Sequence, residues 1–285
     1  MACHLLLLAG LVGSSAAAAI NLTAAAEGGS IFRRDSIQPL PECRTYADNK
    51  WQPILDFDTD SCYNVAAISP NGVTNPGLNC RVGESYASNC RDRSHIDRTN
   101  VYSRARCNSG WCAHMYAYYF EKDQTDLCLG HIHDWEHIVV WTRNDRAEYV
   151  SVSQHGNYEI RPRSGVQWSS DGNRAKVVYH KHNVRTHAFR FGTQGDDTTI
   201  ENHVGQWIKG GPLISYYGYA SHDLRNRLLS KDFGSASIDF RNVAFQGALD
   251  KAKPPAASAF KSYQDGPEDI HNSPGIPEGG CGIRS

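Results

Sequence analysis

Residues 130 to 141 read Gly130-His131-Ile132-His133-Asp134-Trp135-Glu136-His137-Ile138-Val139-Val140-Trp141. The second half of this stretch has the β-branched and aromatic composition of a strand. The first half crowds metal-capable groups at the mouth of that strand. Successive side chains of an extended chain point to opposite faces, so Asp134 and Glu136 share a face with Ile138, while His133, Trp135 and His137 share the other. On a regular strand Ile132 lies on the carboxylate face and His131 on the His133 face. Gly130, free to turn the backbone, is expected to swing the His131 imidazole toward the carboxylates. Upstream, the aromatic run Met115-Tyr116-Ala117-Tyr118-Tyr119-Phe120 leads to Asp123, a third carboxylate within reach of the same rim. Asp123, His131, Asp134 and Glu136 make an oxygen-rich ligand set that suits magnesium, calcium or manganese better than zinc. Taken alone, such a cluster also reads as solvated charges at a strand end.

Working outward, strand-like runs recur between turn residues: Ala113 to Phe120, Glu136 to Thr142, Glu148 to Gln154, Ala175 to Tyr179 and Thr186 to Phe191. Helical spacing is rarer. Ser221 is an N-cap for a helix carrying Leu224, Leu228 and Leu229, and Ala244, Phe245, Ala248, Leu249 and Ala252 repeat at helical spacing before Pro254 and Pro255. Strands in series with few helices predict a mainly β fold, a central β-sandwich with peripheral helices.

The chain of 285 residues, 40% hydrophobic, is long enough for a sizeable core and is read as one domain over residues 41–255. Residues 1–19 form an apolar run followed by small residues, too short for a membrane span, and read as a signal peptide. Residues 20–40 are expected to be a flexible leader in which Arg33-Arg34 is a candidate processing site, and residues 256–285, rich in Pro, Gly and Ser, to be a tail. A net charge of -1 without any Lys/Arg block gives no argument for nucleic-acid binding. Signal cleavage removes Cys3 and leaves an even set of cysteines, which points to an oxidising, extracellular compartment and disulfides. The spacing of Cys107 and Cys112 over Gly110 suits a local disulfide better than a zinc site.

The stretch Gly130 to Glu136 resembles the heptapeptide Gly-His-Arg-His-Asp-Trp-Glu that marks the necrosis- and ethylene-inducing peptide-like proteins, a family of secreted microbial cytolysins. Ala113 to Asp123, Val177 to His182, Thr186 to Phe191 and Phe233 to Ala236 resemble further family blocks in family order, and the similarity runs from about Pro53 to Pro254. Two positions depart: Ile132 stands where the family usually has Arg, and His114 where Ile is common. The resemblance implies a sandwich like those of sea-anemone cytolysins (actinoporins) and fungal lectins. It also implies a monomer without enzymatic activity, with magnesium or calcium held by Asp123, His131, Asp134 and Glu136. The expected partner is the sugar head of glycosylated inositol phosphoceramide sphingolipids of the plant plasma membrane. His155, matching a rim histidine, and His133 are the candidate ligand-binding residues. Asp56, Asp58 and Asp60 alternate like the opening ligands of a calcium loop, although Ser61 and Ala67 stand where an EF-hand needs Gly and Glu. They resemble the acidic element of the family's second type and are a candidate second calcium site. Two other readings compete. His131-x-His133-Asp134-x-Glu136-His137 is superficially like the ligand run of two-metal hydrolases, and Ile132 leaves room for a glycolipid-binding member without lytic activity.

Overall fold

The computed structural model describes residues 37–124, 128, 130–182 and 186–266. The expected signal peptide, Arg33-Arg34, most of the leader and the end of the tail with Cys281 lie outside the described residues. The strands are β1 (Ile54–Phe57), β2 (Val101–Asn108), β3 (Trp111–Asp123), β4 (His131–Arg143), β5 (Arg146–Gln154), β6 (Asn157–Pro162), β7 (Lys176–Lys181), β8 (His187–Phe191) and β9 (Leu213–Ser215). The α-helices are α1 (Tyr46–Trp51), α2 (Arg93–Ile96), α3 (Gln194–Thr198), α4 (His222–Ser230) and α5 (Asn242–Ala252).

A six-stranded sheet in the order β6-β5-β4-β3-β2-β9 faces a three-stranded sheet in the order β1-β7-β8. Two-residue periodicity divides the long strands between two cores. Tyr116, Tyr118, Phe120, Ile138 and Val140 meet Leu55, Phe57, Val177, Tyr179 and Phe189 of the small sheet. Met115, Ala117, Tyr119, Trp135, Val139 and Trp141, on the opposite face, meet Leu224 and Leu228 of α4 and Phe245 and Leu249 of α5. The central strands are thus covered on both faces, which is why Met115 to Phe120 of β3 and Ile138 to Trp141 of β4 are unbroken apolar runs instead of alternating ones. The fold is the expected mainly β sandwich with helices at its periphery. α4 begins as the sequence implies: the Ser221 hydroxyl accepts from the Leu224 amide at 3.1 Å. α5 stops at Lys253, just before Pro254.

Strand β2 had no sequence signal, because Arg104 and Arg106 sit in its middle. Both are buried. Arg104 packs 4.4 Å over the Phe245 ring and donates to the Phe240 carbonyl, and Arg106 donates to Asp265 at 2.6 Å and to the Ser262 carbonyl. Those contacts also move the expected boundary of the tail. Residues 256–266 pack on the body, with Phe260 edge-on to Trp141 at 5.0 Å and Asn108 paired to Lys261 through backbone N–H and carbonyl. At the other end Leu40, 4% exposed, exchanges two hydrogen bonds with the Asn100 amide, so the folded part includes the last residue assigned to the leader.

Cys107 and Cys112 are joined across the β2–β3 hairpin, whose turn uses positive φ at Ser109 and Gly110. Cys62 pairs with Cys90 and Cys80 with Cys128, and Cys43 is disulfide-bonded as well. Among the described residues no helix is long and apolar enough to cross a membrane. Two outcomes follow for a chain that lacks residues 1–19. Thiol titration of the denatured, unreduced protein finds no free cysteine. Replacing Cys80 and Cys128 together by Ser lowers unfolding stability by about 2–5 kcal/mol in a denaturant titration, whereas an unchanged midpoint contradicts a structural role for this bridge.

Candidate metal and ligand site

The ladder between β3 and β4 runs from Cys112–Thr142 to Asp123–His131 in one register, but the Glu121–His133 pair is missing from it. At that point His133 adopts φ +67°, the left-handed region that costs an ordinary residue about 1–2 kcal/mol. The left-handed residue interrupts the face alternation of the strand. His131 therefore joins Asp134 on the side of the small sheet, and Ile132 turns out against Gly77. The expected hinge at Gly130 is thus corrected to His133. Gly130 serves a different need, because a Cβ built on it would lie 1.9 Å from the Asp123 carbonyl oxygen. Only glycine lets the incoming chain pass this close to the end of β3.

Asp123, His131 and Asp134 each bring a ligand atom into a group whose members lie within 4.8 Å of one another. Asp123 and Asp134 are buried, at 2% and 6% exposure, and His131 is half-buried. The small sheet holds the two carboxylates. The Tyr179 hydroxyl donates to Asp134 at 2.9 Å while its ring stacks on Phe120 at 3.8 Å. The His187 amide donates to both Asp123 oxygens at 2.9 and 3.0 Å, and its Nδ1 lies 2.7 Å from Oδ1. His131 is oriented by Nδ1, 2.7 Å from the His133 carbonyl, which leaves Nε2 for a ligand.

Burial, followed by the like charge of Asp123, pushes the Asp134 carboxyl up to about 7. Burial, followed by Asp134, drives Glu136 well above the usual carboxylate range. Two acids forced together out of water with an imidazole beside them form a site that a divalent cation fits: its charge would offset the repulsion that protonation otherwise relieves.

Glu136 was expected to be a direct ligand, but it is not one of the three gathered residues. It sits on the same face, opposite Tyr118, and accepts a hydrogen bond from the Ser153 hydroxyl. It lines the same cavity as the three residues. His133, expected to face a ligand, turns the other way. Its Nδ1 is 2.5 Å from the Tyr119 hydroxyl, and its ring packs edge-on against Phe233 at 5.1 Å. His155, at φ +50° in the β5–β6 turn, lies on the cavity wall next to the triad, with Nε2 3.0 Å from His182 Nδ1. The Asp56, Asp58 and Asp60 carboxylates do not converge, and the second calcium site is corrected accordingly. Asp56 is consumed by the Glu201 and Asn202 amides at 3.0 and 3.1 Å and by the Asn202 side chain at 2.7 Å. Asp58, raised to about 6 chiefly by burial, pairs with Arg190 at 3.2 Å, which in turn binds Asp196. Among the described residues Asp123, His131 and Asp134 are the one group of three that gathers.

The triad opens into a cavity of about 480 Å³. Its origin is a divergence of strands: the pairing of β4 with β5 ends at Ile138–Val152, so residues 131–137 of β4 have no β5 partner in the ladder. Ser153 bridges the parting, accepting from the His137 amide at 2.7 Å and donating to Glu136. Reading the sequence missed Ser153, Tyr179 and His187. Tyr179 and His187 lie in strand-like runs, but nothing in the chain says that those runs cross over the carboxylates.

The fold is a β-sandwich whose rim gathers two buried carboxylates and an imidazole, a donor set able to hold a divalent cation, beside an open cavity. Residues 45–252 match the family model for necrosis inducing protein (NPP1), and the chain belongs to that family. It is 31% identical over 224 residues to NLP effector protein 10 of Phytophthora capsici, covering 75% of this chain and 86% of that protein. Among solved structures it is similar to NLPPya in complex with glucosamine (28% identity, TM-score 0.60, 76% of this chain and 96% of that chain). It is also similar to the non-toxic HaNLP3 protein (26% identity, TM-score 0.62, 77% and 98%).

The raised pKa of Asp134 gives a pH signature with a definite sign. Between about 4 and about 7 the unfolded chain has lost the Asp134 proton and the folded chain retains it, so the unfolded state binds fewer protons and stability falls as pH rises. In chelator, the thermal midpoint of wild type is expected to drop across this window more steeply than that of Asp134→Asn. Added Mg²⁺ raises the wild-type midpoint most above pH 7. Equal slopes in the two proteins contradict the assignment.

Proposed function

We propose that the chain is a secreted cytolysin that grips the sugar head of glycosylated inositol phosphoceramides at the Asp123–His131–Asp134 site and then permeabilises the plant plasma membrane, without catalysing a reaction. The observation that carries this reading is the position of the triad: buried carboxylates at the end of a cavity lined by hydroxyl, amide and carboxylate groups, in the family to which a glucosamine-bound relative also belongs. When bound, a divalent cation supplies positive charge and open coordination positions for sugar hydroxyls. Tyr179 and His187 fix the Asp134 and Asp123 oxygens, so that the ligand set is ordered before ligand arrives. Glu136 accepts from Ser153 and lines the same cavity.

A second reading, binding without lysis, has support of its own. The non-toxic HaNLP3 shares the fold, and Ile132, 39% exposed, replaces a charged residue on the outer surface beside Gly77 and not at the triad. It would alter a surface contact and leave the site intact.

Dye release from vesicles separates these possibilities. Purified protein with Mg²⁺ is expected to empty vesicles that contain glycosylated inositol phosphoceramides and to spare plain phospholipid vesicles. Chelation and Asp134→Ala abolish release, and Glu136→Gln, in the same cavity, weakens ion affinity by about 10–100-fold. Release from plain vesicles, or release that survives chelation, contradicts the head-group mechanism. Binding to the glycolipid vesicles without release selects the non-lytic reading, and turnover of a soluble substrate selects the hydrolase.

A further inference from the structure

The cavity does not end at the triad. Where β5 leaves β4, the space continues past Trp135 and Asn157 to α5, whose facing residues Ala244, Gly247 and Ala248 are small. A Cβ built on Gly247 meets no atom within 4 Å, so this part of the wall is open. A second cavity of about 390 Å³ shares the lining residues Ala236, Ser237, Asp239 and Ala244 with the first, so the two lie side by side along that turn. Trp135 in the cavity wall is 5% exposed, and its indole N–H has no hydrogen-bond partner in the protein. At the far side Lys251 is fixed by donating to the Gly156 carbonyl at 2.9 Å.

Space of this size is typical of sites for ligands larger than one sugar ring. The available groups are also those a sugar uses. Asp239 accepts and Asn157 both donates and accepts, and hydroxyls on consecutive rings can satisfy both. The small-residue stretch of α5 offers a flat surface for the face of a pyranose. The walls contribute Trp135 and Tyr158 as their large side chains, both amphipathic, and offer no deep apolar pocket of the kind that anchors a peptide.

Resting on the sugar-binding reading above, we propose that the site recognises an oligosaccharide: one sugar residue at the triad and at least one more lodged against α5 between Trp135, Asn157 and Asp239, with the remaining glycan leaving along the Ala236–Asp239 turn. The α5 wall then sets the preference for glycan length and linkage, while the triad sets the dependence on the cation.

Calorimetric titration with glucosamine and its α- and β-linked dimers and trimers, in Mg²⁺, tests this. Wild type is expected to bind at least one oligomer about tenfold or more tighter than the monomer. Gly247→Trp fills the α5 end without touching the triad, and it should keep Mg²⁺ and glucosamine affinity while losing the gain from length. Ala244→Phe serves as a second block if the tryptophan variant does not fold by circular dichroism. Equal affinity for monomer and every oligomer, or a gain that persists in both folded variants, overturns the proposal. Failure of all sugars to bind in Mg²⁺ instead overturns the sugar-binding reading on which it rests, and the extension with it.

Discussion

Two carboxylates, Asp123 and Asp134, are held side by side out of water, and the surrounding structure is organised around that unfavourable arrangement. β3 and β4 each supply one. The left-handed residue at His133 brings His131 to them, and the other sheet contributes Tyr179 and His187 as their hydrogen-bond donors. The same Tyr179 ring stacks on Phe120 and meets Phe189 at 5.7 Å, so the core of the sandwich and the binding site share side chains. Packing of the two sheets is what holds the acids at a separation suited to a cation. A hard cation bound there would offset the repulsion.

The cavity has a separate cause. Strands β4 and β5 part above Ile138, and Ser153 of β5 spans the point of divergence with two bonds to β4, to the His137 amide and the Glu136 carboxylate. A regular ladder would have closed this space with backbone hydrogen bonds. Because it is open, groups from both faces of the large sheet line one cavity, the triad on the small-sheet side and α5 on the helical side. Ion chemistry and shape selection can therefore be varied independently, the first through residues of β3 and β4 and the second through α5 and the 235–239 turn.

Much of this was legible in the chain. The alternation around Asp134, Glu136 and Ile138 placed both acids on the sandwich face, the runs of Tyr and Val residues located the long strands, and Ser221 and Pro254 bounded the two longer helices. What was not legible depended on contacts distant in sequence. β2 carries arginines that are acceptable inside a strand because Phe245 and the Ser262 carbonyl receive them. Asp56 looks like a calcium ligand until Asn202 is found to occupy it. His133 has the composition of a ligand and the backbone of a hinge, and single-residue left-handed geometry at a non-glycine position has no reliable sequence signature. Glu136 has the right face but is held by Ser153, a residue that becomes its neighbour only through the β4–β5 hairpin.

Asp123, His131 and Asp134 are the proposed direct ion ligands, with Glu136 held apart by Ser153. Anomalous diffraction from crystals soaked in Mn²⁺ locates the ion without assumptions about its ligands. The account predicts a single strong peak at bonding distance, about 2.0–2.6 Å for hard cations on oxygen, from Asp123, His131 and Asp134, with Glu136 still turned to Ser153. A peak bonded to Glu136 in place of Asp123, or one at Asp56 and Asp58 with the triad empty, would contradict it.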